Sequence, residues 1–113
     1  MIVRGAYIRG IIPTAHREQV THFLHAEIAP IMRRFPGARH VRILISDAIE
    51  EDGPNICLSF ETTYDSLAAM EHAFTFPVRQ ELKLRMKEVL PLISEPQLFH
   101  ITHTEISDGK IEN

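Results

Sequence analysis

The chain has 113 residues, enough for one hydrophobic core and too few for two. Its 44% hydrophobic and 24% charged residues are ordinary for a globular domain, and no stretch approaches the roughly 18 consecutive apolar residues that span a bilayer. A formal net charge of −3, with Lys and Arg spread along the chain, lacks the electrostatic footprint of a nucleic-acid binder, so neither nucleic acid nor a membrane is an expected partner.

The pattern predicts a strand over 1–12, a helix over 14–35, a strand over 38–46, a strand over 55–62, an interrupted helical region over 66–90 and a strand over 98–106. This is strand, helix, strand written twice, a split βαβ pair (βαββαβ) of ferredoxin-like α+β type. One domain over 1–106 is expected, followed by a polar tail over 107–113. The first seven residues lack the basic region and long apolar run of a secretory signal. The lone Cys57 has no internal disulfide partner. Both features fit a cytoplasmic location.

In the first strand Ile2, Val3, Ala6, Tyr7, Ile8, Ile11 and Ile12 put apolar side chains on both faces, so both faces are expected to be covered. Pro13 ends it and Thr14 is the expected N-cap of the next helix. Val20, Phe23, Leu24, Ile28, Ile31 and Phe35 form one stripe of that helix. Pro30 removes a backbone hydrogen bond, which predicts a bend over 26–30, and Pro36-Gly37 stops the helix. Arg33, Arg34, Arg39, His40 and Arg42 straddle this end, where cations complement the helix dipole; a phosphate site is the less favoured alternative.

Val41, Ile43 and Ile45 alternate with polar neighbours, as do Ile56, Leu58 and Phe60, so a hairpin through the turn-rich 47–54 is expected. Setting Ile45 opposite Ile56 pairs Ile43 with Leu58 and Val41 with Phe60, with His40 facing Glu61 and Arg42 facing Ser59. In the second helical region Leu67, Met70 and Phe74 share a face, Pro77 suits the first turn of a second piece, and Val78, Leu82, Met86 and Val89 form its stripe. A turn over 91–96 then leads to a strand carrying Phe99, Ile101 and His103 on one face and Leu98, His100 and Thr102 on the other.

Several segments together resemble the dimeric α+β barrel proteins, and within them the antibiotic-biosynthesis-monooxygenase-like group. They are the start of the first strand, Ile28-Ala29-Pro30-Ile31-Met32, Phe35-Pro36-Gly37-Ala38, the strand Val41 to Ser46, Ser59-Phe60-Glu61 leading to Tyr64-Asp65-Ser66-Leu67, and Val89-Leu90-Pro91-Leu92. The resemblance implies a four-stranded antiparallel sheet with helices on one face, paired with a second subunit's sheet to close a barrel. It further implies a homodimer and a range of activities: cofactor-independent oxidation of phenolic or quinol substrates, haem degradation, isomerisation, or none. Haem degradation is disfavoured, because the chain has no Trp and its first strand has no Asn. Many monooxygenase-like relatives carry a His three residues after a Leu on the second helix; here that position is Met70, and His72 points away from the stripe.

Glu27 falls by helical angle inside the apolar stripe, where burial would raise a carboxylate's pKa and suit it to proton transfer. Pro30 could instead release it to solvent, or Arg85 could pair with it. His103, beside Phe99 and Ile101, is the second proton-transfer candidate. Tyr7, Arg4 and His16 are candidates for holding an oxygenated aromatic ligand, although Tyr and Arg also suit a subunit interface. His22 and His25 lie on the solvated side, and His100 and His103 have opposite parity, so no metal site is expected. No glycine-rich phosphate loop is present and no cofactor is expected. The leading expectation is a small cofactor-independent monooxygenase-like enzyme for an aromatic or quinone-like molecule. The alternatives are a non-catalytic small-molecule-binding or structural homodimer, or an isomerase on this fold.

Overall fold

The computed structural model describes residues 1–111. Strand β1 (Ile2–Ile11) is followed by helix α1 (Thr14–Phe23), a π-helical turn (Leu24–Ile28) and α2 (Ala29–Met32), then by β2 (His40–Ile45) and β3 (Ile56–Tyr64). Helices α3 (Leu67–Ala73) and α4 (Val78–Met86), a 3-10 turn (Leu90–Leu92) and β4 (Ser94–Thr104) complete it. The strands form one antiparallel sheet in the order β2-β3-β1-β4, with the helices on one face. This is the ferredoxin-like α+β arrangement. Beyond β4, residues 105–111 add no helix or strand, and the last two residues of the 107–113 tail lie outside the described residues.

Alternation assigns the two sheet faces. Ile2, Arg4, Ala6 and Ile8 of β1 pair with Tyr64, Thr62, Phe60 and Leu58 of β3, and all point toward the helices. Ile8, Leu58, Val20, Ile28 and Val89 lie fully out of water in the main core. Burying a side chain of this size contributes about 1.5–3 kcal/mol, so these positions anchor the helix layer to the sheet. Val3, Gly5, Tyr7 and Arg9 face the other way, onto a surface that no helix among the described residues covers.

Pro30 is accommodated by the π-helical turn rather than by a break. The Ala29 N–H reaches back five residues to the Leu24 carbonyl, widening the helix where the next residue has no N–H to give. The helix ends at Met32, short of residue 35, and Gly37 takes the left-handed φ of +76° that turns the chain toward β2. The cap before α1 differs from expectation: Pro13 occupies the N-cap position without a side-chain bond, and Thr14 is already helical. In α3 the Ser66 hydroxyl accepts from the Ala69 N–H at 3.1 Å.

The β2–β3 register is two residues from the expected one. Ile45 faces Leu58, Ile43 faces Phe60 and Val41 faces Thr62, while Arg42 faces Glu61 and His40 faces Thr63. A two-residue slide keeps every side chain on its face, so alternation alone cannot choose. The choice is made by contacts outside that pattern: Ser46 closes the hairpin through its N–H to Cys57 O at 3.0 Å and its hydroxyl to Ile56 O at 2.5 Å, and Arg42 Nε meets Glu61 Oε1 at 2.5 Å. β4 starts at Ser94, earlier than expected, because it pairs with β1 as far as Ile11 through a bulge. Gly10, at φ +143°, makes that bulge possible; a Cβ there would lie 2.7 Å from Ser94 O.

Candidate functional site

Between the sheet and α4 lies a cavity of about 410 Å³, within the size range of small-molecule sites. Its walls are apolar: Met32, Phe35, Phe60, Leu82, Met86 and Leu90 contribute carbon surface, and Leu98 stands at the open side along edge strand β4. Arg4, Arg79, Lys83 and His100 gather near the start of α4, Lys87 lines the cavity two turns further along, and no carboxylate is among the lining residues. The sheet supplies Arg4 and His100, which share the helix-facing side because Arg4 pairs with Thr102 and Ala6 with His100. One turn of α4 supplies Arg79 and Lys83, four residues apart on the same helix face.

Phe74, just past α3, organises this end. The guanidinium carbons of Arg4 and Arg79 lie 5.1 and 4.5 Å from its ring centroid, so two cations rest on one aromatic ring. The Phe74 ring in turn meets Tyr64 edge-on at 6.3 Å. Burial, then the charge of Arg79, pushes the Arg4 pKa down. Burial, followed by the charges of Arg4, Arg79 and Lys83, holds the His100 pKa below 6.5, so its imidazole is neutral at neutral pH. Burial also pushes the Tyr64 phenol up to about 12, against a smaller opposing effect of Arg4. The cavity therefore offers apolar walls, a neutral imidazole able to take a proton, and cations able to stabilise the anion left behind.

A second polar group lies on the opposite, helix-free face. Tyr7 Oη sits 2.8 Å from His103 Nε2 and 3.4 Å from Glu61 Oε2, and Glu61 is held by Arg42. The Tyr7 ring stacks at 5.4 Å on Phe99 and lies across Gly5, whose absent side chain makes room for it. Burial, then the Glu61 carboxylate, raises the Tyr7 pKa. Leu44 and Ile101 add exposed apolar surface to this face.

The five candidate residues named from sequence are thus dispersed. Arg4 lines the cavity, whereas Tyr7 and His103 meet each other on the far side of the sheet. Glu27 projects outward in an ion pair with Arg85 at 2.9 Å, its side chain 53% exposed, the pairing that its position relative to Arg85 allowed for. His16 Nδ1 lies 3.2 Å from Leu92 O and ties the start of α1 to the turn before β4. The residue that sequence reasoning passed over is His100. Its signal was its parity: it alternates with Leu98 and Thr102, opposite to His103. Among the described residues no three His, Cys, Asp or Glu side chains converge as metal ligands, and no helix is long and apolar enough to cross a membrane.

No family profile and no curated protein matches the chain in sequence. Solved structures match its shape. A protein of the EthD family from Bacillus halodurans superposes with a TM-score of 0.67 at 17% identity, covering 94% of this chain and 100% of its own. A candidate antibiotic biosynthesis monooxygenase from Deinococcus radiodurans gives 0.64 at 14% identity, with 100% of both chains covered. A dimeric protein of unknown function and ferredoxin-like fold from Bacteroides fragilis gives 0.61 at 11% identity, covering 90% of this chain and 94% of its own. The chain has the fold of the antibiotic-biosynthesis-monooxygenase-like proteins. At these identities the likeness concerns the ferredoxin-like fold alone, which hosts several chemistries, so any activity must be argued from the cavity.

Proposed function

We propose that the chain is a small monooxygenase-like enzyme that takes an aromatic or quinone-like molecule into the cavity between sheet and α4. It acts without a bound cofactor, as a homodimer joined through the helix-free sheet face. The observation that carries this reading is the cavity, with apolar walls and with His100, Arg4 and Arg79 at one end. A bound phenol, or a ring methylene made acidic by its neighbours, gives its proton to the neutral His100 imidazole. Arg4 and Arg79 stabilise the resulting anion. Dioxygen then attacks the electron-rich carbon: the methylene, or the ring C–H carbon para to the phenol oxygen, loses its hydrogens and becomes a carbonyl, giving a ketone or a quinone. One oxygen atom is retained, the other leaves as water, and the substrate supplies the electrons.

In this reading Arg4 binds substrate, whereas Tyr7 and His103 belong to the dimer interface, Glu27 to a surface ion pair and His16 to a helix tether. Apolar Val3, Leu44, Phe99 and Ile101 beside the Tyr7–His103–Glu61–Arg42 group support self-association, since a sheet with one open face of this kind gains by covering it. The dimeric neighbour from Bacteroides fragilis has the same fold.

A non-catalytic small-molecule-binding homodimer is the second reading. It is favoured by the cavity's having one imidazole and no carboxylate for proton transfer. An isomerase would use the same His100 and differ only in product. The test is dioxygen uptake with anthrone and 1-naphthol as probes. The enzyme reading expects stoichiometric uptake, abolished by filling the cavity with Leu82→Trp and reduced about 100-fold or more by His100→Gln. Binding of the probes with no uptake and no product supports the non-catalytic reading; conversion without uptake supports the isomerase.

A further inference from the structure

Resting on the reading that the α4 cavity is the ligand site, we propose that its ligand is an organic acid: a compact apolar body bearing one anionic group held by Arg4, Arg79 and Lys83. The argument starts from charge balance. The chain carries 15 acidic and 12 basic residues, and Arg17, Arg34, Arg39, Arg42 and Arg85 are each ion-paired. Among the described residues, Arg4, Arg79 and Lys83 have no carboxylate within 4.0 Å; Arg9, Arg33, Lys87 and Lys110 share that, and the first three are set apart by being brought together around Phe74 and His100.

Two guanidiniums repel each other when brought together, and partial burial removes the water that would screen them. Phe74 offsets part of that cost by giving both a π-face. The ring offers only a weak negative potential, and among the described residues no carboxylate meets the fork of donors on either guanidinium. A carboxylate or ring-bound phenolate supplies both the charge and the acceptors, and a planar acid can meet a guanidinium through two parallel hydrogen bonds. The rest of the cavity constrains the other end of the ligand. Phe35, Phe60, Leu82 and Met86 offer carbon surface, which suits an aromatic or short branched body and disfavours a sugar or a phosphate ester. An acid that is already ionised also leaves His100 free to take the proton of a second, reacting position.

The pair of probes 1-naphthoate and 1-naphthamide differs by one charge at nearly constant shape. Titration calorimetry should show naphthoate binding about tenfold or more tightly than naphthamide at low salt, as expected when an ion pair replaces a neutral contact. That preference should shrink severalfold in Arg79→Gln and, independently, in the exposed Lys83→Gln, which leaves the core untouched. It should also shrink between about 50 and 500 mM salt. Equal affinities in the parent, both abolished by Leu82→Trp, would overturn the organic-acid inference while leaving the cavity as the ligand site. Failure of both probes to bind, or binding indifferent to Leu82→Trp, would remove the cavity reading and the inference with it.

Discussion

Tyr7 and His103 meet on the helix-free side of the sheet, Tyr7 Oη 2.8 Å from His103 Nε2, with the Tyr7 ring laid over the bare backbone of Gly5. A Cβ at Gly5 would stand 2.2 Å from Tyr7 Oη, so Gly5→Ala must swing the phenol off His103 and out toward the space a second sheet would fill. The expected outcome is weaker self-association in sedimentation equilibrium. The helix-face core is not touched, so secondary structure by circular dichroism should stay as in the parent. Unaltered association would take the Tyr7–His103 group out of the interface.

Glu27→Gln distinguishes a surface ion pair from a catalytic carboxylate. Glu27 is exposed and the part-buried Arg85 keeps its second partner Glu88, so loss of the pair should cost about 1 kcal/mol or less in denaturant titration. Turnover should match the parent; its abolition with the fold intact would return Glu27 to the chemistry.

His100 gives a signed pH dependence. Its folded pKa lies below 6.5, so between that value and the folded pKa the unfolded chain binds the proton more readily. Its contribution to stability is therefore complete above pH 6.5 and declines as the pH falls toward the folded pKa. The melting temperature of His100→Gln should fall less than the parent's from pH 7.5 to about 5. Parallel profiles would mean that His100 is not held neutral by its neighbours.

Alkaline titration addresses the other side of the cavity. The chain has two tyrosines; both phenols are raised, Tyr64 to about 12. Tyr64 stays neutral in the fold after the unfolded chain would ionise, so its contribution is intact below pH 10 and lost as the pH rises toward 12. Absorbance of phenolate should place both midpoints above 10, and Tyr64→Phe should remove the transition at about 12.

The order of elements, the sheet faces and the apolar stripes were legible in the sequence because they depend on period alone, and Ile8, Leu58 and Val20 fall where alternation and helical angle put them. The hairpin register was not, since sliding β3 by two residues preserves every face. The site was harder still. Glu27 sits in the stripe by angle, but the π-helical turn required by Pro30 widens the helix beneath it and lets it reach Arg85. His100 carries no local signal beyond parity, and its neighbours Arg4 and Arg79 come from positions 96 and 21 residues away along the chain. Such convergence is a property of the tertiary fold, to which local periodicity is blind.

The crystal structure of the protein soaked with 1-naphthoate bears most directly on the central claim that the ligand site lies between sheet and α4. The account predicts the naphthalene ring against Phe60, Leu82 and Met86, with its carboxylate within hydrogen-bond reach of Arg4 or Arg79. Density for the ligand on the helix-free face, beside Tyr7 and Phe99, with the α4 cavity unfilled, would contradict it.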